Sequence, residues 1–137
     1  MILLDTSGLL AALDRGEPDH ARVQRAIESH PGPLLVLDVV LAETDFLVLK
    51  RLGRKAERAF LDQLVGGVLH RESLRDGDLK RAREIVEWFD DQAVGLTDAA
   101  LMAVAERLAV PVLTLDRRHF VSFRTRRGKA LTLLPQS

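Results

Sequence analysis

The sequence predicts a three-layer α/β/α domain built on a central, mainly parallel five-stranded sheet. Three observations lead there. Short apolar runs of strand length recur along the chain, stretches with apolar residues three and four apart separate them, and the runs are apolar on both faces, as strands covered on each side by helices must be. The strand candidates are residues 2–4, 34–37, roughly 68–70, 112–115 and 131–134. Helical spacing marks residues 21–27, 39–49, 56–65, 79–89 and 99–109. Thr97-Asp98 reads as a helix cap and an acidic first turn. Asp38 reads as the cap of the helix after the second strand, and Leu108-Ala109-Val110-Pro111 as a helix end leading into a strand.

Composition bounds the rest. At 137 residues and 47% hydrophobic content the chain has the size of one domain, expected to span 1–137, and no linker, repeat or low-complexity stretch divides it. The apolar runs are broken by Asp5, Asp38 or Glu43, and no basic lead-in precedes Asp5. Neither a membrane span nor a signal peptide is therefore expected, and the location expected is cytoplasmic. With no cysteine, disulfides, thiolate metal sites and a cysteine nucleophile are excluded. The formal net charge is zero, yet all 20 acidic residues lie at or before Asp116, and Arg117, Arg118, Arg124, Arg126, Arg127 and Lys129 follow it. That segment is either a solvated surface or an attractor of polyanions.

In an open parallel sheet ligands collect at the carboxyl ends of the strands. Asp5 directly follows Ile2-Leu3-Leu4 and Asp116 directly follows Val112-Leu113-Thr114-Leu115, so two carboxylates leave the same sheet edge. Asp98 opens a helix and shares a column with Leu101, Met102, Ala105 and Ala109, so it starts the face turned to the core. Glu43, among Val39, Val40, Phe46 and Leu47, is expected to face inward too. Asp45, among Leu41, Val48 and Leu49, looks equally buried, and periodicity does not choose between them. Taken singly, each carboxylate also fits a turn, a helix N-terminus or a surface ion pair. Gathered together, they repel one another and require protons or a cation. Oxygen donors without thiolates suit Mg²⁺ or Mn²⁺, and no closely spaced acidic cluster of the kind calcium loops use is present.

Four landmarks then stand in order: Met1-Ile2-Leu3-Leu4-Asp5-Thr6-Ser7, Ala42-Glu43, Leu96-Thr97-Asp98-Ala99 with Ala105-Glu106-Arg107-Leu108, and Thr114-Leu115-Asp116-Arg117-Arg118 before Phe120. With this spacing, over nearly the whole chain, the sequence resembles the PIN-domain family, specifically the VapC-type toxin ribonucleases of bacterial or archaeal toxin–antitoxin systems. The resemblance decides for Glu43 over Asp45. It implies that Asp5, Glu43, Asp98 and Asp116 are catalytic carboxylates holding one or two Mg²⁺ ions, with Mn²⁺ as a substitute. Thr6 would line the site, and Arg117, Arg118 and His119 are candidate substrate contacts. Asp91 falls at a frequent family position and reads here as structural. Where many relatives carry an acidic residue this chain has His119, which could replace a ligand, meet a phosphate or serve the structure. The resemblance further implies an RNA substrate, a homodimer, and a cognate antitoxin whose tail crosses the acidic pocket with an arginine among the carboxylates.

One tryptophan, no tyrosine and five phenylalanines leave little for a base-stacking platform. Helices 21–27 and 56–65 could belong to core or interface, with core preferred. The main rival is a receiver-like phosphoacceptor signalling domain. Against it, Asp5 has no acidic neighbour and residues 68–70 do not end in aspartate. A catalytically inactive PIN-like binding module is the other alternative.

Overall fold

A computed structural model describes residues 1–136. Five strands, β1 (Ile2–Leu4), β2 (Leu34–Leu37), β3 (Leu69–Glu72), β4 (Val112–Leu113) and β5 (Leu133–Leu134), pair in the order β3-β2-β1-β4-β5. Every pairing is parallel, as expected for strands with apolar residues on both faces. The chain leaves β1 in one direction towards β2 and β3 and returns on the other side through β4 and β5. The crevice between β1 and β4 is therefore the topological switch point, where such sheets place their ligands. Leu3 and Leu4 stand beside Val112 and Leu113, and the Asp5 N–H donates to Leu113 O at 3.0 Å, so the chain leaves both strands at one level.

Seven α-helices flank the sheet among the described residues: α1 (Thr6–Leu13), α2 (His20–Ser29), α3 (Asp38–Leu52), α4 (Arg54–Val65), α5 (Asp76–Trp88), α6 (Leu96–Leu108) and the short α7 (Arg118–Ser122). The core is one cluster made by all five strands with Leu9, Val40, Phe60, Ile85, Phe89, Phe120, Phe123 and the run from Ala99 to Ala105 on α6. Ion pairs tie α6 to α5 and to the end of β3. Arg107 reaches Asp78 at 2.8 Å and Glu72 at 3.0 Å, and Arg81 reaches Glu106 at 2.8 Å.

The five helices expected from periodicity are present, each beginning one to three residues earlier than expected. Helix α1 was not expected, because Thr6–Leu13 is apolar on most sides and contains Gly8. It is buried at Thr6, Gly8, Leu9 and Ala11, so it carries no amphipathic signal to detect. Its Gly8 is required by contact: a Cβ there would lie 2.4 Å from Leu113 O. Two capping expectations are corrected. Helix α3 begins at Asp38 itself, with Leu37 as cap and no side-chain cap bond, so Asp38 acts as first-turn charge. Helix α6 begins at Leu96 behind Gly95, which puts Thr97 inside it and Asp98 in the expected first turn. Strands β4 and β5 are shorter than expected because they pair only over Val112↔Leu133 and Leu113↔Leu134. Beyond them, the Leu115 N–H turns away to a side chain of α1.

Candidate active site

Asp5 ends β1 in extended conformation and caps α1. Its Oδ1 accepts the Thr6 N–H at 2.7 Å, and its Oδ2 accepts the Thr114 hydroxyl at 2.7 Å. With 6% of its surface exposed, it is buried in the crevice. Burial pushes its pKa up from 3.8 to about 6; the bonds from Thr114 and Thr6 resist this, and the charges of Asp98 and Glu43 add to it.

Asp116 lies just beyond β4 and is exposed. The Ser7 hydroxyl fixes its backbone, accepting the Leu115 N–H at 2.9 Å and the Asp116 N–H at 3.3 Å while standing 3.2 Å from Thr114 Oγ1 and 3.4 Å from Asp5 Oδ2. One serine on α1 thus joins the two strand ends that carry Asp5 and Asp116. Neither Ser7 nor Thr114 was singled out from the sequence; the available signal was two hydroxyls flanking aspartates at adjacent strand ends.

Asp98 is part-buried in the first turn of α6, with Oδ2 at 3.6 Å from His119 Nδ1. That separation is too long for a hydrogen bond but close enough to favour the carboxylate. Burial raises the Asp98 pKa, His119 lowers it, and Asp116 and Glu43 raise it again, leaving it above its ordinary value.

Glu43 lines the same pocket, but the inward orientation expected of it is corrected. The buried stripe of α3 is Val40, Thr44 and Val48; Glu43 is exposed at the pocket wall, and its expected companion Phe46 is 60% exposed. Asp45 turns instead towards Glu57 of α4, whose pKa it raises, and does not line the pocket. Asp91 is exposed in a 3₁₀ turn outside it.

The resulting cavity of about 380 Å³ is walled by Asp5, Thr6, Ser7, Glu43, Asp98 and Asp116, among others. Five elements or their ends converge there: β1, α1, α3, α6 and β4. The Thr6 hydroxyl is buried in the wall without a hydrogen-bond partner. The basic residues divide. Arg117 donates to Thr114 O and Pro135 O, Arg124 to Val121 O and Phe123 O, and Arg126 to Glu84. Arg118, Arg127 and Lys129 are exposed.

The donor set fits a hard divalent cation: crowded carboxylates, two with raised pKa values, and no thiol. Among the described residues no group of three or more histidine, aspartate or glutamate side chains stands close enough together to hold a metal ion by itself. An open wall of carboxylates suits an ion that keeps several water ligands.

The PIN-domain family model matches residues 2–124. The chain belongs to the PIN-domain family. It is 41% identical over 135 residues to Ribonuclease VapC26 of Mycobacterium tuberculosis, covering 98% of this chain and 100% of that protein. Among solved structures, VapC20 of Mycobacterium tuberculosis, described as a sarcin-ricin loop cleaving toxin, has a TM-score of 0.76 at 23% identity, over 87% of this chain and 92% of that one. The DNA-bound VapBC of Salmonella typhimurium gives 0.71 at 14% identity, over 96% and 95%. A toxin–antitoxin complex from Klebsiella pneumoniae gives 0.69 at 17%, over 90% and 92%. These structures share the PIN fold with the chain, and membership in the family displaces the receiver-like alternative. Among the described residues no helix is long and apolar enough to cross a membrane.

Proposed function

We propose that this PIN domain is the endoribonuclease toxin of a toxin–antitoxin pair, hydrolysing RNA phosphodiester bonds with a divalent cation. The observation that carries this reading is the convergence of Asp5, Glu43, Asp98 and Asp116 on one pocket, in a chain 41% identical to a protein named a ribonuclease. Asp5, Asp98 and Asp116 would hold Mg²⁺, or Mn²⁺ in its place, and Glu43 at the wall would serve a second ion. A cation bound there supplies Lewis acidity to a water molecule and to the phosphate oxygen.

The chain's own residues do the rest. Ser7 and Thr114 hold Asp5 and Asp116 in fixed relation. His119 steadies Asp98, and the unpartnered Thr6 hydroxyl is free to donate to a phosphate oxygen. Arg118, exposed where α7 begins, adds positive charge beside the acidic mouth, whereas the guanidinium of Arg117 is engaged by carbonyls. Attack of water on phosphorus with loss of the 3′-oxygen gives 5′-phosphate and 3′-hydroxyl ends.

Two partners belong to this reading. An antitoxin is supported by the VapBC and toxin–antitoxin complexes that share the fold, and by a second groove of about 570 Å³, lined by Leu13, Val48, Leu52 and Phe60 together with Arg15, His20, Gln24 and Gln63. A homodimer is supported by the exposure of Phe46, Leu49, Leu61 and Val65 on α3 and α4, beyond the core role expected of residues 56–65.

The test incubates purified protein with a pool of structured RNAs in Mg²⁺, Mn²⁺ or chelator, beside an Asp98→Asn variant. Discrete fragments that require metal and vanish in the variant are expected. A variant that cleaves as fast as the wild type would remove Asp98 from the site, and metal-independent fragments would remove the cation.

A further inference from the structure

Among the described residues that wall the acidic pocket there is one cation, Arg51, facing Asp5, Glu17, Glu43, Asp98 and Asp116. Arg51 sits in the last turn of α3, is exposed, and takes part in none of the ion pairs of the described residues. Glu43, Leu47 and Arg51 follow one another at intervals of one helical turn and all three line the pocket, so a single edge of α3 runs from the carboxylates to the guanidinium. Two turns of helix separate Glu43 from Arg51, about 12 Å. At that separation their attraction is screened in ordinary salt, where the Debye length is about 8–10 Å. Neighbouring Lys50 turns the other way, its ammonium 5.8 Å from the centre of the Phe46 ring.

The charge distribution of the sequence left the basic C-terminal segment open as a solvated surface or an attractor of polyanions, and three of its arginines are engaged with carbonyls or Glu84. A strand entering an acidic pocket meets repulsion at every phosphate that no cation neutralises. It needs a positive group on the pocket wall, displaced from the carboxylates so that the two do not cancel. Arg51 has that placement, and a guanidinium binds phosphate through two parallel N–H donors.

We propose that Arg51 is an RNA-binding residue, anchoring a backbone phosphate that flanks the scissile bond about two helical turns along α3. This deepens the endoribonuclease reading and rests on it. The competing role is structural, since a cation in the last turn also favours the helix dipole.

The experiment compares wild type, Arg51→Gln, Arg51→Lys and the control Lys50→Gln on one cleaved RNA. Arg51→Gln should raise KM about tenfold, the value of one charge-assisted contact, with kcat within about twofold. It should also lower the slope of log affinity against log salt by about 0.7–0.9, one phosphate contact. Arg51→Lys should recover part of the affinity, and Lys50→Gln should leave KM and slope unchanged. An unchanged KM and slope in Arg51→Gln, or equal effects from Lys50→Gln, would overturn the proposal. If the wild type cleaves no RNA in either metal, the endoribonuclease reading fails by itself. Arg51 is then judged by binding: a smaller salt slope in Arg51→Gln supports the anchor, and an identical slope refutes it.

Discussion

Asp5→Asn should change stability with opposite signs at two pH values. In the metal-free protein, burial raises the Asp5 pKa from 3.8 to about 6. A raised carboxyl pKa means that stability is fully present below the unfolded value and is lost as pH rises through the folded one. At about 1.4 kcal/mol per pH unit, the ionised Asp5 costs about 3 kcal/mol at pH 7.5 relative to pH below 3.8. The isosteric Asn removes that cost. It keeps the bond from the Thr6 N–H and turns its amide towards Thr114, whose hydroxyl must then accept instead of donate, a loss of about 1 kcal/mol. The variant should therefore be more stable than wild type by about 2 kcal/mol at pH 7.5, and less stable by about 0.5 kcal/mol at pH 4. Urea unfolding in chelator, followed by far-ultraviolet circular dichroism at both pH values, measures the two differences. A difference of the same sign and size at both would refute the assignment of Asp5 as a buried, strained carboxylate. Adding Mg²⁺ at pH 7.5 should stabilise the wild type and leave the variant unmoved, because the ion offsets the same repulsion.

Two further substitutions test the scaffold around Asp5. Ser7→Ala leaves the Leu115 N–H without its acceptor and the Asp116 N–H with Thr114 Oγ1 alone. It should raise the Mg²⁺ concentration needed for half-maximal cleavage about tenfold, with restoration by Ser7→Thr; a Mg²⁺ titration identical to wild type would remove the positioning role. Gly8→Ala brings a Cβ to 2.4 Å from Leu113 O, an atom of β4 that cannot turn aside. It should cost roughly 1–3 kcal/mol in urea unfolding, and a change under about 0.5 kcal/mol would show that α1 can slide off the sheet freely.

Legibility in the sequence followed the strength of local pattern. The strands preceding Asp5 and Asp116 are continuous apolar runs ending at a charge, so both carboxylates could be set at the sheet edge before any contact was known. Asp98 was legible because the acidic first turn of a strongly apolar helix is a local feature. Glu43 and Asp45 were not separable: they are two residues apart on a helix whose surroundings are apolar on nearly every side, and the resemblance made that choice. Helix α1 failed for a related reason, since a short helix buried on most sides has no polar face to give it a period.

Local pattern in the chain determined an α/β sheet, its five strands and five of its helices, and the carboxylates at two strand ends, because period and strand termination are properties of neighbours in sequence. Tertiary structure decided what depends on residues far apart in the chain. Ser7 meets Leu115 and Asp116 across more than a hundred residues, Glu43 stands at the pocket wall instead of in the core, and Arg126 is spent on Glu84 while Arg51 faces the pocket. A charge can be counted from the sequence, but its partner is set by packing, and the partner determines whether that charge remains available to bind RNA.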